Sequence, residues 1–178
     1  MRDTVVLFAK ENFVLELMPV LTPMQALATA TAYIVMADKK AVPEEREGLV
    51  SLLGKHVSKR EMSSTQIQRL TADAFAYVTK HEYDKFLLSI EDTLTPAQII
   101  SVIANMYELM IVDGHVIARE KELVDEFFRF FDIDRRIVNT VREILMIKND
   151  TTMFLRDDHP NNGSDFRFMF LDRMDTES

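Results

Sequence analysis

Four carboxylates recur at matched places in the chain. Asp38 is followed seven residues later by Glu45, and Asp113 at the same interval by Glu120; Glu47 and Glu122 lie two residues further on. Brought together, Asp38, Glu45, Asp113 and Glu120 would offer hard oxygen donors only, a set that suits calcium or magnesium. His115 adds a nitrogen and moves the preference toward zinc. The same residues have a plainer use. Acids in the first turn of a helix complement its dipole. Val42 and Ile117, just ahead of the helices that carry Glu45 and Glu120, have no capping oxygen, so Asp38 and Asp113 stand where orphan amides need acceptors. Ligand set and helix caps are both open readings of this pattern.

Other chemistries find less support. Counted from Asp38, the third, fifth and twelfth positions of a calcium hand would be Lys40, Val42 and Leu49; from Asp113 they would be His115, Ile117 and Val124. None supplies the oxygen that such a loop needs, so neither turn is an EF-hand. The histidines at 56, 81, 115 and 159 are dispersed, and His56 and His81 read as surface residues at helix ends. There is no H-E-x-x-H pair, nucleophile elbow or glycine-rich phosphate loop. The chain has no cysteine, which excludes thiolate ligands and thiol nucleophiles. Asp157, Asp158 and His159 read as a solvated tail. Methionines such as Met24, Met36, Met106 and Met110 sit among Ala, Ile and Val and read as core filling. The expectation is a non-catalytic protein.

Two similar frames must position the carboxylates. Leu21-Thr22-Pro23-Met24-Gln25 returns as Leu94-Thr95-Pro96-Ala97-Gln98, 73 places on. In each, Thr is an N-cap, Pro fills the first helical position, and Gln three after the Thr completes a capping box. Leu21 and Leu94 precede the caps and can staple onto Ala26 and Ile99. Between the acidic turns the offset is 75, so the second helix is longer by two residues. Beyond the turns, Leu49, Val50, Leu52 and Leu53 answer to Val124, Phe127 and Phe128 as core-facing stripes. Further helices are expected over 4–17, from Ser64 to about Lys80, over 82–92, and from Arg135 to Met146 behind an Asp134 cap. The whole reads as all-α, with an internal helix–acidic loop–helix repeat. A helical domain over 1–149 is followed by a partly flexible tail over 150–178. The tail's Phe166, Phe168, Met169 and Phe170 form an apolar clip that should dock on the body or on a second copy, giving a homo-oligomer.

Composition narrows the partners. Nearly half of the 178 residues are hydrophobic, Gly and Pro number 4 and 5, and the net charge is −8. Such a chain folds, favours helices and lacks the basic face that nucleic acid requires; the block from Lys55 to Arg60 is short and flanked by acid. The apolar run from Val5 to Ala9 stops at Lys10 and Glu11, too soon for a secretory signal. The segments Leu21–Ala37 and Leu94–Val112 have no basic residue, but the second carries Asn105 and Glu108, and both read as buried helices of a soluble, cytoplasmic protein.

At the two turns the chain resembles the tellurite-resistance TerB family and TerB-like domains. Met36-Ala37-Asp38 with Pro43-Glu44-Glu45 carries the likeness in the first copy. Tyr107, Asp113-Gly114 and Glu120 carry it in the second, and the likeness extends over roughly residues 21–147. It implies a compact bundle of about seven helices in pseudo-two-fold halves, with an acidic surface that binds metal ions. It also implies a stress-response role, and partners among other Ter-type proteins, one of them integral to the membrane, which would place the protein peripherally at the inner membrane. Lys39 stands where the family has Gly, Val42 and Ile117 where it has a Ser or Thr cap, and Arg119 where it has an acid.

Overall fold

The structure is a computed structural model. It describes residues 5–6, 18–37, 43–55, 57, 62–112, 116–156 and 158–160, with the side chains of 5–6, 18–19, 43–45 and 112 outside the description. A two-stranded antiparallel ladder, β1 (Val5–Val6) and β2 (Met18–Pro19), pairs Val5 with Pro19 and Val6 with Met18. The helix expected over 4–17 is therefore corrected at its start. Paired β-branched valines suit a pleated strand better than a helix, and residues 7–17 lie outside the described residues.

Seven helices follow: α1 (Pro23–Val35), α2 (Pro43–Lys55), α3 (Ser64–Lys80), α4 (Tyr83–Ser89), α5 (Pro96–Val112), α6 (Ala118–Phe130) and α7 (Arg135–Lys148). Among the described residues, the fold is thus all-helical apart from the small ladder. The expected caps are present. Thr22 Oγ1 accepts from the Gln25 amide at 3.3 Å while Gln25 Oε1 accepts from the Thr22 amide at 2.8 Å. Thr95 and Gln98 repeat the exchange at 3.3 and 2.9 Å. A third box, Ser63 with Gln66, opens α3. Asp134 caps α7 by accepting from the Arg136 amide, and the helix runs on to Lys148, past the expected end at Met146.

α1 is the hub, touching α2, α3, α5 and α6. Every residue from Ala26 to Val35 is buried. Ala26, Ala28, Ala30 and Ala32 are wholly buried, and such small side chains let neighbouring backbones come close. The buried Thr31 hydroxyl is satisfied within the helix, donating to the Leu27 and Ala28 carbonyls at 2.8 and 3.0 Å. That removes the cost of a lone buried hydroxyl. Of the predicted stripes, Leu49, Leu52 and Leu53 on α2 and Val124, Phe127 and Phe128 on α6 join the core, while Val50 is half-buried outside it. Met106 and Met110 are buried in it too, and Met24 and Met36 pack against its margin. Around α1, α2 and α3 pack on each other; on the other side, α5 packs on α6 and α7.

Candidate functional site

The acidic turns lie between α1 and α2 and between α5 and α6. Asp38, Lys39, Asp113 and His115 fall outside the described residues, and Glu45 is described in its backbone only, in the first turn of α2. Glu120 is described in full. Its carboxylate Oε2 accepts the Ile117 amide at 2.9 Å, bridging back from the third position of α6 to the residue before the helix. Ile117 has no oxygen with which to return the bond, so only half of a capping box forms. Glu120 therefore satisfies one of the orphan amides that the sequence leaves uncapped. Among the described residues, no group of three or more His, Asp or Glu side chains is gathered as metal ligands. The four carboxylates present the hard-oxygen donor chemistry that a divalent cation accepts.

The helix ends that lead into the turns are tied together. Near the end of α1, the Tyr33 ring meets that of Tyr83 edge-on at 4.8 Å, and the Tyr83 hydroxyl donates to the Leu123 carbonyl on α6 at 3.0 Å. Burial pushes the Tyr83 hydroxyl well above its ordinary pKa, so it stays a donor across the physiological range. The Tyr33 hydroxyl donates to the His81 carbonyl at 2.7 Å, and burial raises its pKa as well. At the other end of α1, Pro23 and Met24, with Leu94 just ahead of α5 and Gln98 in its first turn, line one depression.

Basic neighbours are accounted for in different ways. Arg119 donates to Glu122 at 3.1 Å and to Glu126 at 3.3 Å, one and two turns along its own helix. In the sequence Glu108 marks, with Asn105, only a polar interruption of an apolar segment. It is the junction of three helices: one of its oxygens accepts Lys148 Nζ of α7 at 2.9 Å and Lys55 Nζ of α2 at 3.1 Å. The Lys148 hydrogen bond, with help from Lys55, holds its carboxyl below the ordinary value. The absence of basic residues around Glu108 in its own segment is the signal that its partners must come from elsewhere. His81, expected at the surface, is half-buried: its ring stacks against Tyr77 at 4.4 Å, and its Nδ1 is buried without a hydrogen bond. His56 and Asp157 lie outside the described residues. Asp158 pairs with Arg156, and His159 meets Asp150 at 2.5 Å.

A groove of about 660 Å³ opens beside the second acidic turn. Tyr107, Met110 and Ile111 of α5 form its floor, and Val116 stands at the end nearest the turn. Lys121 and Asp125 on α6 face Arg142 and Met146 on α7 across it.

Capped helices around an alanine-rich hub, with acidic turns after α1 and α5, define a helical domain. Residues 24–143 match the family model described as Tellurite resistance protein TerB, and the chain belongs to that family. It is thereby a tellurite-resistance-related domain. Neither the curated proteins nor the solved structures compared with the chain yield a match. Among the described residues, no helix is long and apolar enough to cross a membrane.

Proposed function

We propose that the chain is a non-catalytic stress-response domain that binds a divalent cation through Asp38, Glu45, Asp113 and Glu120, or docks Ter-type partners through the same acidic surface, in the cytoplasm or peripherally at the inner membrane. The observation that supports this is the Tyr33–Tyr83–Leu123 link, which joins the last turns of α1 through α4 to the first half of α6. Four like-charged carboxylates drawn together at such matched spacings would repel one another, and a cation between them would relieve that repulsion. Calcium and magnesium suit an all-oxygen set; zinc gains if His115 joins it.

The test is calorimetric titration of the whole chain with calcium, magnesium and zinc, beside a variant carrying Asp38→Asn and Asp113→Asn. Binding by at least one cation, lost in the variant, is expected. Cation at about 100 times its Kd should raise stability by about 2.7 kcal/mol. No heat with any cation, together with an unchanged melting temperature in the variant, ends the metal reading.

A second reading rests on the Glu120–Ile117 bond: the acidic turns are helix caps in a metal-free interaction module. It requires that the Asn substitutions lower the melting temperature while a chelator leaves the wild type unmoved.

A further inference from the structure

The groove between α6 and α7 is apolar at its floor and charged at its rim. Arg142 and Lys121 form no ion pair among the described residues, although acids are abundant in the chain. α7 adds exposed apolar surface near it, since Met146 keeps 57% of its area accessible. Beyond α7 the chain does not simply trail away. Asp150 accepts from the Thr152 amide and hydroxyl at 2.9 and 2.7 Å, and His159 returns to meet Asp150 at 2.5 Å. Residue 159 is therefore brought back to the end of α7. Met146 lies four residues before Asp150, about one helical turn away.

We propose that this groove is the docking site of the chain's own segment Phe166–Leu171. The segment reads Phe-Arg-Phe-Met-Phe-Leu between Asp165 and Asp172. Five residues lie between Pro160 and Phe166, an extended reach of up to about 20 Å from one to the other, enough to bring the segment back from the pinned turn onto α7. The chemistry matches on both counts. Phenylalanine side chains suit an apolar lining of Met110, Ile111 and Met146, and the thioethers of Met110 and Met146 adapt to aromatic rings. The charges are complementary too: Asp165 and Asp172 flank the segment and Arg167 lies within it, opposite in sign to the rim's Arg142 and Lys121 and to its Asp125. An own segment costs less ordering entropy than a separate partner, because the pinned turn already holds its start at high effective concentration. None of Asp38, Glu45, Asp113 and Glu120 is among the groove-lining residues named, and the proposal stands whether or not they bind a cation.

The chain has no tryptophan, so Phe168→Trp in the full-length protein is a sole reporter. Its emission should lie to the blue of the same chain unfolded in urea and resist acrylamide quenching. Adding Met146→Asp, a change at an exposed position that the fold tolerates, should lose both effects. Adding Leu88→Asp on α4 should leave them. Sedimentation should show that the blue-shifted form is a monomer. Emission like that of the unfolded chain overturns the proposal, as does a blue shift indifferent to Met146→Asp, which puts the segment elsewhere. A blue shift that vanishes on dilution with loss of a dimer assigns the groove to a second copy's segment and overturns the intramolecular form.

Discussion

The two flanks of the hub helix begin alike and end differently. α1 and α5 start with the same Thr–Pro–x–Gln box, and α2 and α6 bury aligned stripes. On the first flank α3 closes against α2, burying Thr71, Ala74, Phe75 and Tyr77, with the Arg46 guanidinium over the Phe75 ring at 4.7 Å. On the second, α7 packs on α5 but stands off from α6, buries only Val138 and Leu145, and leaves the groove open. The connections differ in kind. Residues 56–63 separate α2 from α3, room enough for α3 to lie back along its neighbour. Only 131–134 separate α6 from α7. That turn is locked: the Ile133 amide donates to the Phe128 carbonyl at 2.9 Å and the Asp132 amide to the Arg129 carbonyl at 3.2 Å. This is a Schellman closure that places Asp132 at a φ of 50°. Similar caps and stripes thus leave the third helix undetermined, and the turn that precedes it decides whether a flank is sealed.

The largest effect should come from the sealed flank. Phe75→Ala should cost about 3–5 kcal/mol in urea unfolding. Ile137→Ala on α7, where the side chain is 42% exposed, should cost about 1 kcal/mol or less. Equal losses would mean that both flanks are closed. Next comes the tie between flanks: Tyr83→Phe removes the bond to the Leu123 carbonyl and should cost about 1 kcal/mol. An unchanged midpoint would show that the tie carries no energy.

Glu108 joins the flanks by charge and should matter less, at most about 1 kcal/mol, because both lysines are solvated. Its folded pKa is depressed below its ordinary 4.5. The wild type's advantage over Glu108→Gln should therefore be full above about that pH and fade as the pH falls through the folded value. Denaturation midpoints compared at neutral and acid pH measure it; an advantage that grows toward acid would contradict the assignment. The smallest change should be a gain. Asp132→Gly relieves a side chain at positive φ and should add about 0.5 kcal/mol or somewhat more, visible as a higher melting temperature. A loss would show that the Asp132 side chain holds the turn by bonds of its own.

Much of this molecule was legible in its residues because the signals are local. A Thr, a Pro and a Gln within five positions suffice to start a helix, and apolar spacing of three and four shows which face turns inward. The all-helical class, the caps at Thr22, Thr95 and Asp134, and the stripes of α2 and α6 follow from such short-range rules, as does the likeness to the TerB family. The paired acids at 38, 45, 113 and 120 were equally visible as a pattern. Whether carboxylates cap amides or hold a cation depends on atoms distant in sequence, and spacing is silent on that; the Glu120 bond to Ile117 is seen only in three dimensions. The strand at Val5–Val6 needed a partner at Met18–Pro19, which periodicity within 4–17 does not reveal. Glu108 gathers lysines 53 and 40 residues away, and the groove exists because one short turn directs α7 away from α6. The sequence by itself determined the helices and their inward faces, where contacts lie within a few residues. Tertiary structure alone decided which faces met, since that choice rests on packing and charge pairing between residues far apart along the chain.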